Sequence, residues 1–213
     1  MKILFKFFGL LAIISSLVSG CNLSGNDQLP ILGRHQYIES ESGIDTVYHT
    51  ISAFSFVDQD SVLITNKTYD GSIYVADFFF TSCPSICPIM KAQMLRVYQE
   101  FEDNNRVRLL SHTIDPEYDN VAVLSDYATR LAVNTNKWHF VTGEKEQIYD
   151  MAQTSYYVAA RANDQAPGGY EHSGAFILVD PSRRIRGIYD GTDAERVDAL
   201  IADIKILLKE KNE

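Results

Sequence analysis

Positive charge is scarce in this chain: 19 Lys and Arg stand against 28 Asp and Glu over 213 residues, a formal net charge of −9. That deficit argues against nucleic acid or an anionic membrane face as the partner, since both are bound through surplus cations. A cationic cargo is compatible with it, as is an ordinary solvated surface. Internal repeats and low-complexity tracts are absent, so a repeat architecture is excluded. Cysteine is limited to Cys21, Cys83 and Cys87, too few for a disulfide framework. The longest apolar stretch, 7–18, is interrupted by Gly9, Ser15 and Ser16. It is too short to span a bilayer as a mature helix.

What the N-terminus does have is the grammar of an export signal. Lys2 and Lys6 precede the apolar stretch, and Val18-Ser19-Gly20-Cys21 closes it. The closing residues resemble the lipobox of bacterial lipoproteins, which implies cleavage before Cys21, acylation of that cysteine and tethering at the periplasmic face of a bacterial membrane. Removing 1–20 takes away Lys2 and Lys6 and no acid, so the net charge becomes 17 − 28 = −11. Residues 21–42 are polar, contain Gly25, Pro30 and Gly33, and show no periodicity. They read as a flexible linker to a single domain over 43–213.

Cys83 and Cys87 carry the chemistry. Three residues separate them where an apolar strand turns toward a helix, a spacing that places both sulfurs on one helical face, near enough to grip a soft metal ion or close a disulfide. A structural staple is the weaker reading, because so short a loop restrains the unfolded chain very little. A helix N-terminus lowers the pKa of a nearby thiol, which favours thiolate at Cys83. Outside the cytoplasm such thiols need either a dedicated reductant or a protecting metal.

Patterning supplies the frame. Alternation over 51–57 and an apolar run at 61–64 flank Asp58-Gln59-Asp60 and predict a hairpin. Residues 73–80 are almost continuously apolar, as in a strand buried on both faces. A helix is predicted from Pro84 to about Phe101, then a strand at 107–114, a helix near 121–131, a short strand at 139–141 and a helix at 144–151. A Gly- and Pro-rich loop over 162–170 precedes a second hairpin, 174–179 with 185–189, and a final helix at 194–208. Strands alternating with helices and closed by a hairpin predict an α/β, thioredoxin-like fold: a central mixed sheet flanked by helices, with an N-terminal hairpin. The cysteines then fall at the carboxyl edge of the sheet, where such folds place their sites.

From 51 to 208 the sequence resembles the Sco/SenC family of copper-binding, thioredoxin-fold proteins. The resemblance is carried by Phe79-Phe80-Thr81-Ser82-Cys83-Pro84-Ser85-Ile86-Cys87-Pro88, by Thr113-Ile114-Asp115-Pro116-Glu117, by Trp138-His139-Phe140-Val141-Thr142-Gly143, and by His172-Ser173 ahead of Phe176-Ile177-Leu178-Val179-Asp180. It implies copper, Cu(I) or Cu(II), held by Cys83, Cys87 and His172. It also implies delivery of copper or reducing equivalents to the binuclear copper site of a haem-copper oxidase, with other copper chaperones or thiol reductases as further partners. Thiolates suit Cu(I), and an added imidazole allows Cu(II) as well.

Composition alone does not select the histidine. His112, near the end of a central strand, competes with His172; His35, His49 and His139 read as surface or packing residues. Asp77, inside an apolar strand six residues before Cys83, resembles the buried acid of thioredoxins and is a candidate proton acceptor, or else a charge paired with a buried cation. Asp115 is a candidate to orient His172 or a cysteine, although an Asp-Pro turn needs no such reason. The alternative function is a periplasmic thiol-disulfide oxidoreductase with Cys83 as nucleophile and Cys87 resolving. Against it stand the three-residue spacing and the lack of proline in Tyr170-Glu171-His172-Ser173, where thioredoxin-like reductases dock their substrates. Thr81 near Cys83 suggests peroxide reduction only faintly, since the rest of a peroxiredoxin motif is missing.

Overall fold

The computed structural model describes residues 28–41 and 43–210. The expected signal segment 1–20 and Cys21 lie outside the described residues. In chain order the strands are β1 (Gln36–Ser40), β2 (Gly43–Val47), β3 (Ser55–Asp58), β4 (Leu63–Thr65), β5 (Ile73–Phe79), β6 (Val107–Thr113), β7 (Trp138–Thr142), β8 (Ala160–Ala162), β9 (Tyr170–His172), β10 (Ala175–Val179) and β11 (Ile185–Asp190). The α-helices are α1 (Cys87–Glu100), α2 (Val121–Leu131), α3 (Lys145–Asp150) and α4 (Ala194–Leu207).

Seven strands form one mixed sheet in the order β11-β10-β5-β6-β7-β3-β4. The central β5, β6 and β7 are parallel, while β10 and β3 run antiparallel to them on either flank. Every residue of β5 is buried, as the almost continuous apolar run, interrupted only by Asp77, predicts. Its alternation sorts the two faces. Asp77 and Phe79 point to Lys91 on α1, while Tyr74 and Phe78 meet Tyr156 on the other side, just past α3. Helices therefore cover both faces, and the expected thioredoxin-like arrangement is present. In the β3–β4 hairpin, Asp58 accepts hydrogen bonds from the backbone N–H of Asp60 at 2.9 Å and of Val62 at 2.8 Å, the turn chemistry expected of an Asp at that place.

Three features depart from the sequence reading. Helix α1 begins at Cys87 rather than Pro84, with Pro88 in its first turn, where a missing N–H costs nothing. Two prolines could have filled that role, and Pro84 instead packs near Gly168. Helix α3 passes into a π-helical turn, Met151–Ser155. Two short sheets of two strands, β1–β2 and β8–β9, were not anticipated; β1 is exposed at every residue and β8 and β9 have three residues each, so neither prints an alternating pattern.

The stretch expected as linker carries β1 and, before it, an antiparallel bridge from Leu32 to Ile185. Arg186 anchors that segment. Its guanidinium donates to the carbonyls of Leu29 at 2.6 Å and Pro30 at 3.2 Å, and it pairs with Asp180 at 3.2 Å and Glu210 at 2.8 Å. Ile185 pairs with Val179, and Val179 with Tyr74 near the start of β5. Residues 29–32 therefore sit at the sheet end opposite the cysteine turn, which follows Phe79. Arg186→Ala should leave two carboxylates uncompensated and destabilise the fold by about 3–5 kcal/mol, read as a lower urea midpoint; a loss under about 1 kcal/mol would contradict this account of the anchor.

Candidate metal centre

Strand β5 ends at Phe79, and the chain turns at Phe80 through a hydrogen bond from the Cys83 N–H to the Phe80 carbonyl, 3.3 Å. Asp119 braces this turn. Its carboxylate accepts from the Thr81 N–H at 3.0 Å, from the Thr81 hydroxyl, and from the Thr113 hydroxyl at 2.6 Å. The hydroxyl of Thr81 is thus spent on Asp119. Cys83 lies in the turn and Cys87 at the first residue of α1, so the two sulfurs are brought together by the loop and not by helical register.

His172 closes the site. It ends β9, paired with Ala160 of β8, so the imidazole is carried on a short strand that follows the Gly- and Pro-rich stretch. The Pro167-Gly168-Gly169 turn of that hairpin packs on the cysteine turn. Gly168 has φ +80, and a Cβ there would lie 2.8 Å from the Phe80 ring and 3.1 Å from Pro84, so only glycine allows the approach. His172 Nε2 lies 3.2 Å from Cys87 Sγ and its Nδ1 lies 3.1 Å from the Ser173 carbonyl. A carbonyl can only accept, so Nδ1 carries the proton and Nε2 keeps its lone pair facing the sulfur, the tautomer a metal ligand needs.

The ligand atoms of Cys83, Cys87 and His172 lie within 4.8 Å of one another, the only such cluster among the described residues. Neither cysteine is in a disulfide. A cavity of about 160 Å³ opens at Cys83 and His172, lined also by Phe80, Ile86, Pro167 and Tyr170, while Cys87 lies outside its lining; a larger hollow of about 460 Å³ beside β3 contains none of the three. Burial opposes ionisation of Cys83, yet hydrogen bonds from Cys87 and Ser85 hold its thiol below the ordinary value. Burial, then the hydrogen bond to Cys83, pushes Cys87 up, with Lys91 acting against that. Burial lowers His172, countered by the Ser173 carbonyl and Asp77, which favours the neutral imidazole. The pair therefore shares its proton unequally, with Cys83 the readier thiolate.

The other candidates fall elsewhere. His112 is fully buried among the rings of Phe54, Phe56, Phe78 and Tyr156, with neither nitrogen hydrogen-bonded; it is not brought to the thiols. His35 and His49 bond the backbone of Ile31 and Ser155, and His139 Nδ1 lies 3.0 Å from Asp58. Asp115 accepts from the Tyr170 hydroxyl at 2.7 Å, so it reaches His172 only through the strand that carries it. Asp77 accepts from Ser111 and lies 3.8 Å from Lys91 Nζ. Sequence reasoning missed Lys91, Asp119 and Tyr170. Only Lys91 left a signal: it stands four residues after Cys87 and between the buried Met90 and Met94, where a charge does not belong without a partner.

Two buried thiols and a half-buried imidazole at the carboxyl edge of a thioredoxin-like sheet form a cluster that could hold a metal ion. The comparisons specify it further: residues 43–209 match the SCO1/SenC family model, and the chain belongs to that family. The SCO1 protein homolog of Bacillus subtilis is 30% identical over 166 residues, covering 76% of this chain and 84% of the relative. A SCO1/SenC family lipoprotein from Bacillus anthracis superposes with a TM-score of 0.69 at 26% identity, covering 76% of this chain and 96% of that one. BsSco, a member of the Sco family of cytochrome c oxidase assembly proteins for which a disulfide switch is described, superposes with a TM-score of 0.66 at 28% identity, covering 76% and 95%.

Burial holds His112 neutral, its pKa lowered to about 3 against about 6.5 in the unfolded chain. Between those values the unfolded state binds the extra proton, so His112 contributes stability above pH 6.5 that is lost as pH falls toward 3. Its share of the slope is on the order of 1.4 kcal/mol per pH unit. His112→Phe should flatten the acid limb of a stability–pH profile while leaving metal binding intact, and an unchanged limb would show that this ring is not held neutral.

Proposed function

We propose that this chain is an exported copper chaperone that binds copper through Cys83, Cys87 and His172 and passes it to, or prepares the thiols of, the binuclear copper site of a haem-copper oxidase. The observation that carries this is the donor set itself, two thiols and a lone-pair nitrogen within 4.8 Å. Sulfur ligands favour Cu(I), and the imidazole makes Cu(II) tenable. Membership of the SCO1/SenC family supports copper, and the oxidase-assembly role of BsSco supports the receiving site.

Function then follows from what the residues can give up. Cys83, the readier thiolate, and Cys87, once deprotonated, bind the ion. Neutral His172 completes the set without loss of a proton and sits on a two-stranded hairpin outside the main sheet, where an incoming ligand can displace it with little disturbance of the core. Acylation at Cys21 would tether the chain through its N-terminal side, and the described N-terminal residues 29–32 lie at the sheet end opposite the cysteine turn. The lipoprotein relative from Bacillus anthracis supports the anchor, which the mass of the mature N-terminus would settle.

One observation favours a second reading, a thiol-disulfide oxidoreductase: Cys83 is held below its ordinary pKa by Cys87, the pairing of an attacking thiolate with a resolving thiol. Copper titration separates the two. The reduced chain should bind one copper; Cys83→Ala or Cys87→Ala should weaken it by more than about a hundredfold, and His172→Ala should cost Cu(II) more than Cu(I). Absence of tight copper binding, with rapid turnover of a generic disulfide by the metal-free protein, would make the oxidoreductase reading the better one.

A further inference from the structure

Beneath Cys87 the fold holds a charge pair that the copper reading does not use. Lys91 is buried on α1, one helical turn beyond Cys87. Its ammonium has no hydrogen-bond acceptor among the described residues. It lies instead among four rings, 4.5 Å from Phe79, 4.7 Å from Trp138, 5.0 Å from Phe140 and 5.5 Å from Tyr127. Among the described residues its one carboxylate counter-charge is Asp77, at 3.8 Å. Asp77 is fixed in turn by Ser111, which accepts a hydrogen bond from the Trp138 indole at 2.9 Å. An apolar residue would fill this helix position at lower cost, because a buried ion pair is often no more stable than a hydrophobic replacement. Rings and carboxylate together keep a cation at a fixed place inside the sheet–helix layer.

Resting on the copper reading of the site above it, we infer that Lys91, positioned by Asp77 and the aromatic box, sets which oxidation state of copper the Cys83–Cys87–His172 site prefers. The argument is a charge count. With two thiolates and a neutral imidazole, Cu(II) makes a site of net charge 0 and Cu(I) one of −1. Reduction adds one electron, from an external donor, and no proton. A fixed cation one helical turn away stabilises the −1 state, and an anion destabilises it. Lys91 stands on the same helix as Cys87, with Asp77 across the gap on β5. Lys91 is accordingly a positioning residue for electrons rather than a ligand, and the two members of the pair act on copper with opposite signs.

Opposite signs are what a merely structural pair would not produce. The test is the ratio of Cu(I) to Cu(II) affinity, each measured by chelator competition on the full chain, for Lys91→Met, Asp77→Asn and the double variant. Lys91→Met should lower the ratio on the order of tenfold, Asp77→Asn should raise it by a similar factor, and the double variant should return near the parent. Lys91→Arg, which keeps the charge, should rescue. The midpoint potential of the metal-free Cys83–Cys87 pair should move with the same signs, giving a readout that needs no copper. Its disulfide takes two electrons from an external dithiol and one proton at Cys87, leaving Cys83 as thiolate. If Lys91→Met fails to fold, Asp77→Asn, which keeps an oxygen for Ser111, still carries the sign. Shifts in the same direction for both single variants, or none beyond about twofold in a chain that binds copper, would overturn the inference alone. A parent chain that binds no copper would overturn the proposed function and this inference with it.

Discussion

Every residue of β5 is buried, and that constraint organises the molecule. A strand with no solvent face must be covered on both sides, so it lies mid-sheet between β10 and β6 with helices above and below. The chain leaving its carboxyl end has then to turn at once under those helices. That turn is the cysteine loop. Asp119 ties it to β6 through the Thr113 hydroxyl, and the β8–β9 hairpin folds over it because Gly168 lets the backbone come up against Phe80. The candidate metal centre is thus assembled from separate parts of the sequence around one buried strand.

The sequence made the frame legible where period and run length are strong signals. The almost continuous apolar run of β5, the amphipathic α2 and α4 and the β10–β11 hairpin around Asp180-Pro181-Ser182 lie close to where patterning places them. Cys83 and Cys87 were legible from their spacing. Their proximity does not come from a shared helical face, since Pro84 does not start α1 and Cys83 precedes the helix. His172 came from a family resemblance and not from pattern, because no periodic signal distinguishes one histidine from another in a three-residue strand. His112 shows the limit most plainly: it sits near the same sheet edge, but strand alternation turns its ring into an aromatic cluster on the face away from Asp77 and Ser111.

Long-range partners were the least legible. Arg186 reaching Leu29, Pro30 and Glu210, and Tyr170 reaching Asp115, join residues far apart in the chain through single hydrogen bonds, which no local window contains. Yet each of these contacts holds a segment in place. One holds the N-terminal segment at the far end of the sheet; the other ties the histidine strand to the Asp-Pro turn beside the cysteine loop. The N-terminal segment 29–32 and the Cys83–Cys87–His172 cluster thus lie at opposite ends of a sheet against which α1 buries a lysine.

The central claim is that Cys83, Cys87 and His172 act together on one copper ion. X-ray absorption at the copper edge of the loaded full-length chain tests it most directly. The account predicts two sulfur neighbours in the Cu(I) form, and two sulfurs with one imidazole nitrogen in the Cu(II) form, the nitrogen vanishing in His172→Ala. A copper shell of oxygen and nitrogen with one sulfur or none, or an imidazole signal that survives His172→Ala, would contradict it.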